Sequence, residues 1–250
     1  MALYKYVKQL PKKEHRIPPI FPYLLIAGGV MILSWVLWPI LSFQIASGIL
    51  FARTVTPVAD TGGFSATNKN VVVAASEEVL GQTKSQSDLS NPDSWFPGRT
   101  QKKVITPVNS YMLSIPKLRI KDATVIIAGD DLNKGLIHYG GTALPGEYGT
   151  TVIFGHSTLP QFYDPTNYHT IFSLLPSLRA ATDMKEGDDI FITYDGATYR
   201  YTIYSMVVTK PEDLSSLEQK YDDSYLTLVT CVPPGTYWQR LHVKARLMPL

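Results

Sequence analysis

The chain is poor in the features that most readily betray a chemistry. It holds one cysteine, Cys231, in 250 residues, so an internal disulfide is excluded. No Cys/His cluster at zinc-ligand spacing and no glycine-rich phosphate loop occurs, which removes the common metal and nucleotide motifs. A net charge of +2, without a basic aromatic patch, gives no reason to expect nucleic acid as a partner. Internal repeats are absent, which excludes a solenoid. No metal and no cofactor are expected. One further absence is local: from Ile17 to Ala52 there is no charged side chain.

That uncharged window places the chain. Tyr23 to Ile40 is almost wholly apolar, and about 20 such residues cross a bilayer as a helix, because only intrahelical hydrogen bonds satisfy the backbone there. Tyr23, Trp35 and Trp38 suit the membrane interface, and Pro39 is expected to kink or end the apolar part. Lys5, Lys8, Lys12, Lys13 and Arg16 precede the span, opposed only by Glu14. The positive-inside bias then predicts a cytoplasmic basic tail over 1–19 and a signal anchor over 20–45. Everything beyond would lie outside the plasma membrane, on a single-pass protein. A cleaved signal peptide is the alternative, since Ala46-Ser47-Gly48 offers small residues.

Beyond the span the composition turns polar, and 46–107 reads as an extracellular linker. Asn91-Pro-Asp-Ser-Trp-Phe-Pro-Gly98 stands out in it, with two adjacent aromatics between prolines. Trp95 and Phe96 are expected to dock on the outside of the following domain; the alternative is that 91–98 is a lid over a site.

From about residue 108 to 250 the pattern is short period-two runs broken by turn residues. Tyr111–Ile115, Leu118–Ile120, Ala123–Ile127, Thr150–Phe154, Ile190–Tyr194, Thr198–Val208, Tyr225–Cys231 and Leu241–Leu247 read as strands, with Asp195-Gly196 as a hairpin turn. Short helices are expected around 131–137, 168–178 and 211–219. The domain is therefore all-β, a small closed barrel or a sandwich.

Cys231 ends one of these runs, just before Pro233-Pro234-Gly235. His156 follows another in the turn Gly155-His156-Ser157, and Arg240 begins a third. A thiol, an imidazole and a guanidinium at strand ends are the parts of a thiol acyl-transfer site. Cys231 is the nucleophile, being the only thiol, since a thiolate both attacks a carbonyl and leaves readily from a thioester. His156 is the candidate acid and base, with His138 its rival. His15 is set aside by topology, His169 by its polar surroundings, and His242 by a strand phase that points it to solvent or to a neighbouring position. Arg240 is the candidate oxyanion stabiliser. Strand phase does not separate it from Arg246, which shares its face with His242 and Lys244. Thr230 is a candidate substrate contact, and Thr227 a weaker one. A secreted cysteine hydrolase would use the same Cys231 and His156, and a non-catalytic surface-binding domain would make Cys231 a core residue.

Several segments together resemble the sortase family: Ser114-Ile-Pro-Lys-Leu118, Thr142-Ala-Leu-Pro-Gly146, Val152-Ile-Phe-Gly-His156, Phe172-Ser-Leu174, Gly187-Asp188, Thr227-Leu-Val-Thr-Cys231 and Arg240-Leu-His-Val243. The resemblance covers about residues 108–250. It implies an eight-stranded sortase-type β-barrel carried on a membrane anchor. It also implies a cysteine transpeptidase acting on secreted proteins with a C-terminal Leu-Pro-x-Thr-Gly-like sorting signal, passing the acyl group to an amine of the cell wall or of another surface protein. The short interval from Cys231 to Arg240 is similar to the pilin-polymerising (class C) and class D-like branches. Asn91-Pro92-Asp93-Ser94-Trp95 departs from the Asp-Pro-aromatic order of pilin-type lids.

Overall fold

A computed structural model describes residues 20–53, 90–95, 100–102, 106, 108–182 and 185–249. The basic tail 1–19, most of the linker, and Phe96 to Gly98 lie outside these residues. The chain divides into two compact units, Met1–Trp38 and Pro39–Leu250. Described residues of the first form one helical stretch whose side chains are nearly all exposed and apolar. They belong to helix α1, Ile20–Leu50, whose apolar section Ile20–Gly48 is long enough to cross a membrane. The helix continues through Pro39 rather than ending near it. It also runs beyond residue 45, so 46–50 is helix and not linker. Phe43 and Phe51 then stack 5.8 Å apart in the core of the second unit, and β1, Ala52–Arg53, pairs parallel with a barrel strand.

The second unit is a closed barrel of eight strands. They are β2 Ser110–Ile115, β3 Ile120–Ile127, β4 Leu136–His138, β5 Gly149–Phe154, β6 Asp189–Tyr194, β7 Ala197–Thr209, β8 Ser224–Val232 and β9 Gln239–Met248. Their order is β7-β6-β2-β3-β4-β5-β8-β9, and pairing of β9 back to β7 closes the ring and leaves no free edge. The expected hairpin turn is present: Asp195 and Gly196 both take positive φ between β6 and β7. The three expected helices are replaced. Over 131–137 a turn leads into β4, and the other two regions hold only the 3-10 turns Leu175–Ser177 and Ser215–Leu217. Leu136 to His138 is a three-residue strand, buried on both faces, too short for periodicity to reveal.

Alternation divides the buried residues into two groups. Leu113, Val125, Leu136, Ile153, Ile192, Tyr201, Leu228 and Val243 point into the barrel and form its core. The opposite phase of β4, β5 and β8 supplies Ile137, Val152, Phe154, Val229 and Cys231, which form a second cluster on the outer wall. Trp95 and Leu132 complete that cluster, with Leu214 and Leu217 packed against it. The lone thiol is therefore on the outside of the barrel, under a cover.

Candidate active site

Parallel pairing of β5 with β8 brings His156 and Cys231 together. The register Phe154↔Val229 places the Gly155-His156-Ser157 turn beside the end of β8. Three hydrogen bonds fasten it: Gly155 N–H to the Val229 carbonyl (3.2 Å), the Thr230 hydroxyl to the Gly155 carbonyl (2.8 Å), and the Ser157 hydroxyl to the Cys231 carbonyl (2.6 Å). The glycine of this turn has a steric reason, since a Cβ there would run into the ring of Phe172. Thr230 is fully buried and its hydroxyl is committed to this latch. Thr227 is buried as well.

Antiparallel pairing of β8 with β9 sets Cys231 directly opposite Arg240. Arg240 is 3% exposed, and one terminal nitrogen donates to the carbonyls of Tyr237 (3.2 Å) and Gln239 (3.3 Å). Its Nε is buried with no hydrogen-bond partner among the described residues. Arg246 is separated from it by register, lying opposite Tyr225 and ion-paired at the surface with Asp223. Six strand residues amount to about 20 Å, so the ambiguity left by strand phase is resolved by pairing.

Other histidines have structural employment. His138 is fully buried, with Nδ1 2.9 Å from the Tyr111 hydroxyl and Nε2 3.2 Å from that of Thr142. Burial pushes it down to about 4, so it stays neutral. Of the two positions that strand phase left to His242, solvent or a neighbouring place, the structure has the second: it pairs with Val229, two residues before Cys231. The outer wall is covered there, so His242 is fully buried, with Nε2 3.3 Å from the Thr209 hydroxyl. Burial, reinforced by Lys244, holds it near 4 although Asp213 pulls the other way.

Trp95 packs on the outer wall of the barrel, with Phe154, Val229 and Cys231 in one cluster. It is 1% exposed at the end of the 3-10 turn Pro92–Trp95, edge-on to Phe154 at 5.5 Å. The His156 ring lies 6.2 Å away and the Arg240 guanidinium carbon sits 5.1 Å over the indole. Backbone anchors hold the turn in place: Leu132 N–H to the Ser90 carbonyl (2.8 Å) and Gln101 N–H to the Asp93 carboxylate (2.9 Å). Two adjacent aromatics in a polar stretch were the only signal, and they carried no address. Under this cover Cys231 is 2% exposed, and burial pushes its thiol up to about 11 against the opposing pull of Arg240. No group of His, Cys, Asp and Glu fit to hold a metal occurs among the described residues.

A barrel whose outer wall carries a thiol, with the His156 turn latched to the end of its strand and a guanidinium across the strand pair, holds the parts of a thiol acyl-transfer site. A sortase-domain profile matches residues 113–248, and the chain belongs to the sortase family. It is 26% identical over 198 residues to Sortase D of Bacillus subtilis (strain 168), covering 76% of this chain and 87% of that one. Among solved structures, a Clostridium perfringens Sortase D5 transpeptidase is 27% identical, with 59% of this chain and 83% of that one covered at a TM-score of 0.46. Sortase C-1 from Actinomyces oris is 29% identical, covering 58% and 76% at a TM-score of 0.48.

Proposed function

We propose that the protein is a membrane-anchored transpeptidase that cleaves a Leu-Pro-x-Thr-Gly-like sorting signal and transfers the acyl part to an amine at the cell surface. Cys231, as thiolate, attacks the carbonyl of the Thr–Gly bond. The protonated ring of His156 gives its proton to the departing glycine amine, and a thioester remains. An incoming amine then attacks the thioester, passes a proton to His156, and expels the thiolate. Arg240 faces the oxyanion of each tetrahedral intermediate, where a lost donor typically costs about 3–4 kcal/mol. The observation that carries this reading is the cross-strand pair Cys231↔Arg240 with the His156 turn bonded to the Cys231 carbonyl.

Trp95 acts in this reading as a lid. Its burial against His156 and Arg240 keeps the thiol covered and protonated, and substrate binding requires its displacement. The apolar helix anchors the enzyme with its N-terminus in the cytoplasm and the barrel outside. Mass spectrometry of a sorting-signal peptide incubated with enzyme and an amine should show the peptide–amine conjugate. Cys231→Ala should yield none. Cleavage by that variant above background refutes the covalent route, and a hydrolysed peptide alone, at saturating amine, would make the protein a hydrolase.

A further inference from the structure

The ring of His156 has a second aromatic neighbour that the chemistry above does not use. His169 lies 6.1 Å away and within 14° of parallel, while Trp95 is the other neighbour, at 49°. His169 is exposed, as its polar surroundings imply, yet its position is fixed. Its N–H donates to the Asn167 side chain (3.0 Å), and the Asp164 N–H donates to the Thr170 hydroxyl (3.0 Å). The same hydroxyl is 3.0 Å from the Asp164 carbonyl, which it reaches as donor. The loop is tied back to the His156 turn by Phe172 N–H to the His156 carbonyl (3.0 Å) and Thr158 N–H to Ser173 Oγ (2.8 Å). His156 and His169 also share a cavity of about 270 Å3, with Asn133, Ser157, Thr158 and Tyr237 among its other walls. Its described lining includes neither Cys231 nor Arg240, so it meets the site through His156.

We infer that this cavity receives the acceptor as a peptide α-amine, and that His169 is the positioning residue of that half-reaction. The inference rests on the reading of His156 as acid and base. In the step concerned, the amine nitrogen bonds to the acyl carbon and the carbon–sulfur bond breaks. The amine proton goes to the His156 ring, and the electron pair leaves on the Cys231 sulfur. The nitrogen must arrive neutral and within hydrogen-bond reach of the imidazole. A parallel ring on one face of His156 restricts its rotation, which keeps the proton acceptor aimed. Among the described residues the walls offer hydroxyls, an amide and imidazoles but no carboxylate, so they match peptide N–H and C=O groups and provide no ion pair for an ammonium. A peptide α-amine, with pKa about 7.7–8.0, is roughly 25–40% neutral at pH 7.5, whereas a lysine amine, near 10.4, is only about 0.1% neutral.

The test compares wild type, His169→Ala, His169→Phe and His156→Ala in a sorting-peptide reaction with triglycine or with N-acetyl-lysine amide as acceptor. For His169→Ala the expected result is a roughly tenfold higher KM for triglycine and a product ratio shifted toward hydrolysis. Peptide KM should stay at its wild-type value, and thioester formation, which also uses the His156 ring, should slow by clearly less than transfer to triglycine. His169→Phe, which keeps a flat ring in the stack, should restore the ratio. An unchanged ratio in His169→Ala, an equal loss in both half-reactions, or no rescue by phenylalanine overturns the role of His169. A wild type that prefers the lysine amide, or couples neither amine, overturns the acceptor assignment. His156→Ala reports on the underlying reading separately: wild-type rates of thioester formation and transfer in that variant would refute His156 as acid and base, whatever His169 does.

Discussion

Trp95→Ala should make Cys231 react faster while making the protein less stable. The ring is 1% exposed and packs on Phe154 and Arg240. Truncating a buried Trp to Ala costs about 3–5 kcal/mol. In a unit of this size that is a fall in Tm of roughly 6–20 °C. The thiol responds in the opposite sense, because the burial that pushes it up to about 11 depends in part on the indole. At pH 7.5 a group titrating at 11 is about 0.03% thiolate, and one returned to its usual 8.5 is about 10%, roughly a 300-fold range. Phe154, Val229 and the rest of the cluster that holds Cys231 remain after truncation, so only part of that range is expected, at least tenfold. The assay is alkylation by iodoacetamide followed by intact mass, from pH 6 to 10. Its inflection should move down from about 11, and Trp95→Phe, which keeps a ring in place, should stay within about threefold of wild type. A Trp95→Ala rate within twofold of wild type, alongside a lowered Tm, would leave Trp95 a packing residue and refute the lid.

Arg240→Ala should lower kcat/KM for the sorting peptide by 100-fold or more, and Arg246→Ala, which loses only a surface pair with Asp223, by less than threefold; steady-state kinetics decide, and the reverse ranking would reassign the oxyanion role. Thr230→Val should cost about 1–3 kcal/mol in a denaturant titration by leaving the Gly155 carbonyl without its partner, and should lower kcat by loosening the His156 turn while peptide KM holds; a selective rise in KM would instead make Thr230 a substrate contact. His138 and His242 are both held near 4, against about 6.5 in the unfolded chain. Protons therefore bind the unfolded chain first, so this stability is intact above about pH 6.5 and is lost as pH falls toward 4, by up to about 3 kcal/mol per ring. Tm measured from pH 7.5 to 4.5 should fall, and less steeply in His242→Phe; identical slopes would mean that His242 is not held neutral by the fold.

Much of the barrel was legible because alternation is a local property. β2, β6 and β9 show an inward apolar phase, and the Asp195-Gly196 turn is written in two residues that tolerate positive φ. β4 was not legible, since three residues buried on both faces carry no period. Where α1 ends was not legible either. Proline removes one backbone donor locally, and whether the helix resumes is set by what its last turns pack against, here Phe43 and Phe51 in the barrel core. The burial of His242 stayed open for a related reason: strand phase says which wall a side chain faces, and not whether another segment covers that wall.

The sequence by itself determined the inventory and the broad class: one thiol, an uncharged span able to cross a bilayer, strands of period two, and a motif set sufficient for the sortase family. Tertiary structure decided which copies of each residue type meet. Pairing of β8 with β9 selected Arg240 over Arg246, two residues that period-two alternation leaves equivalent. Parallel pairing of β5 with β8 put the His156 turn at the Cys231 carbonyl, while His138 was consumed by Tyr111 and Thr142 in the barrel wall. The closed cover belongs to the fold alone. Trp95 is 61 residues from His156 and 145 from Arg240 in the chain, and no local pattern encodes contacts at that separation. They form only because burying the indole against the outer wall of β5 and β8 offsets the entropy of ordering the turn that carries it.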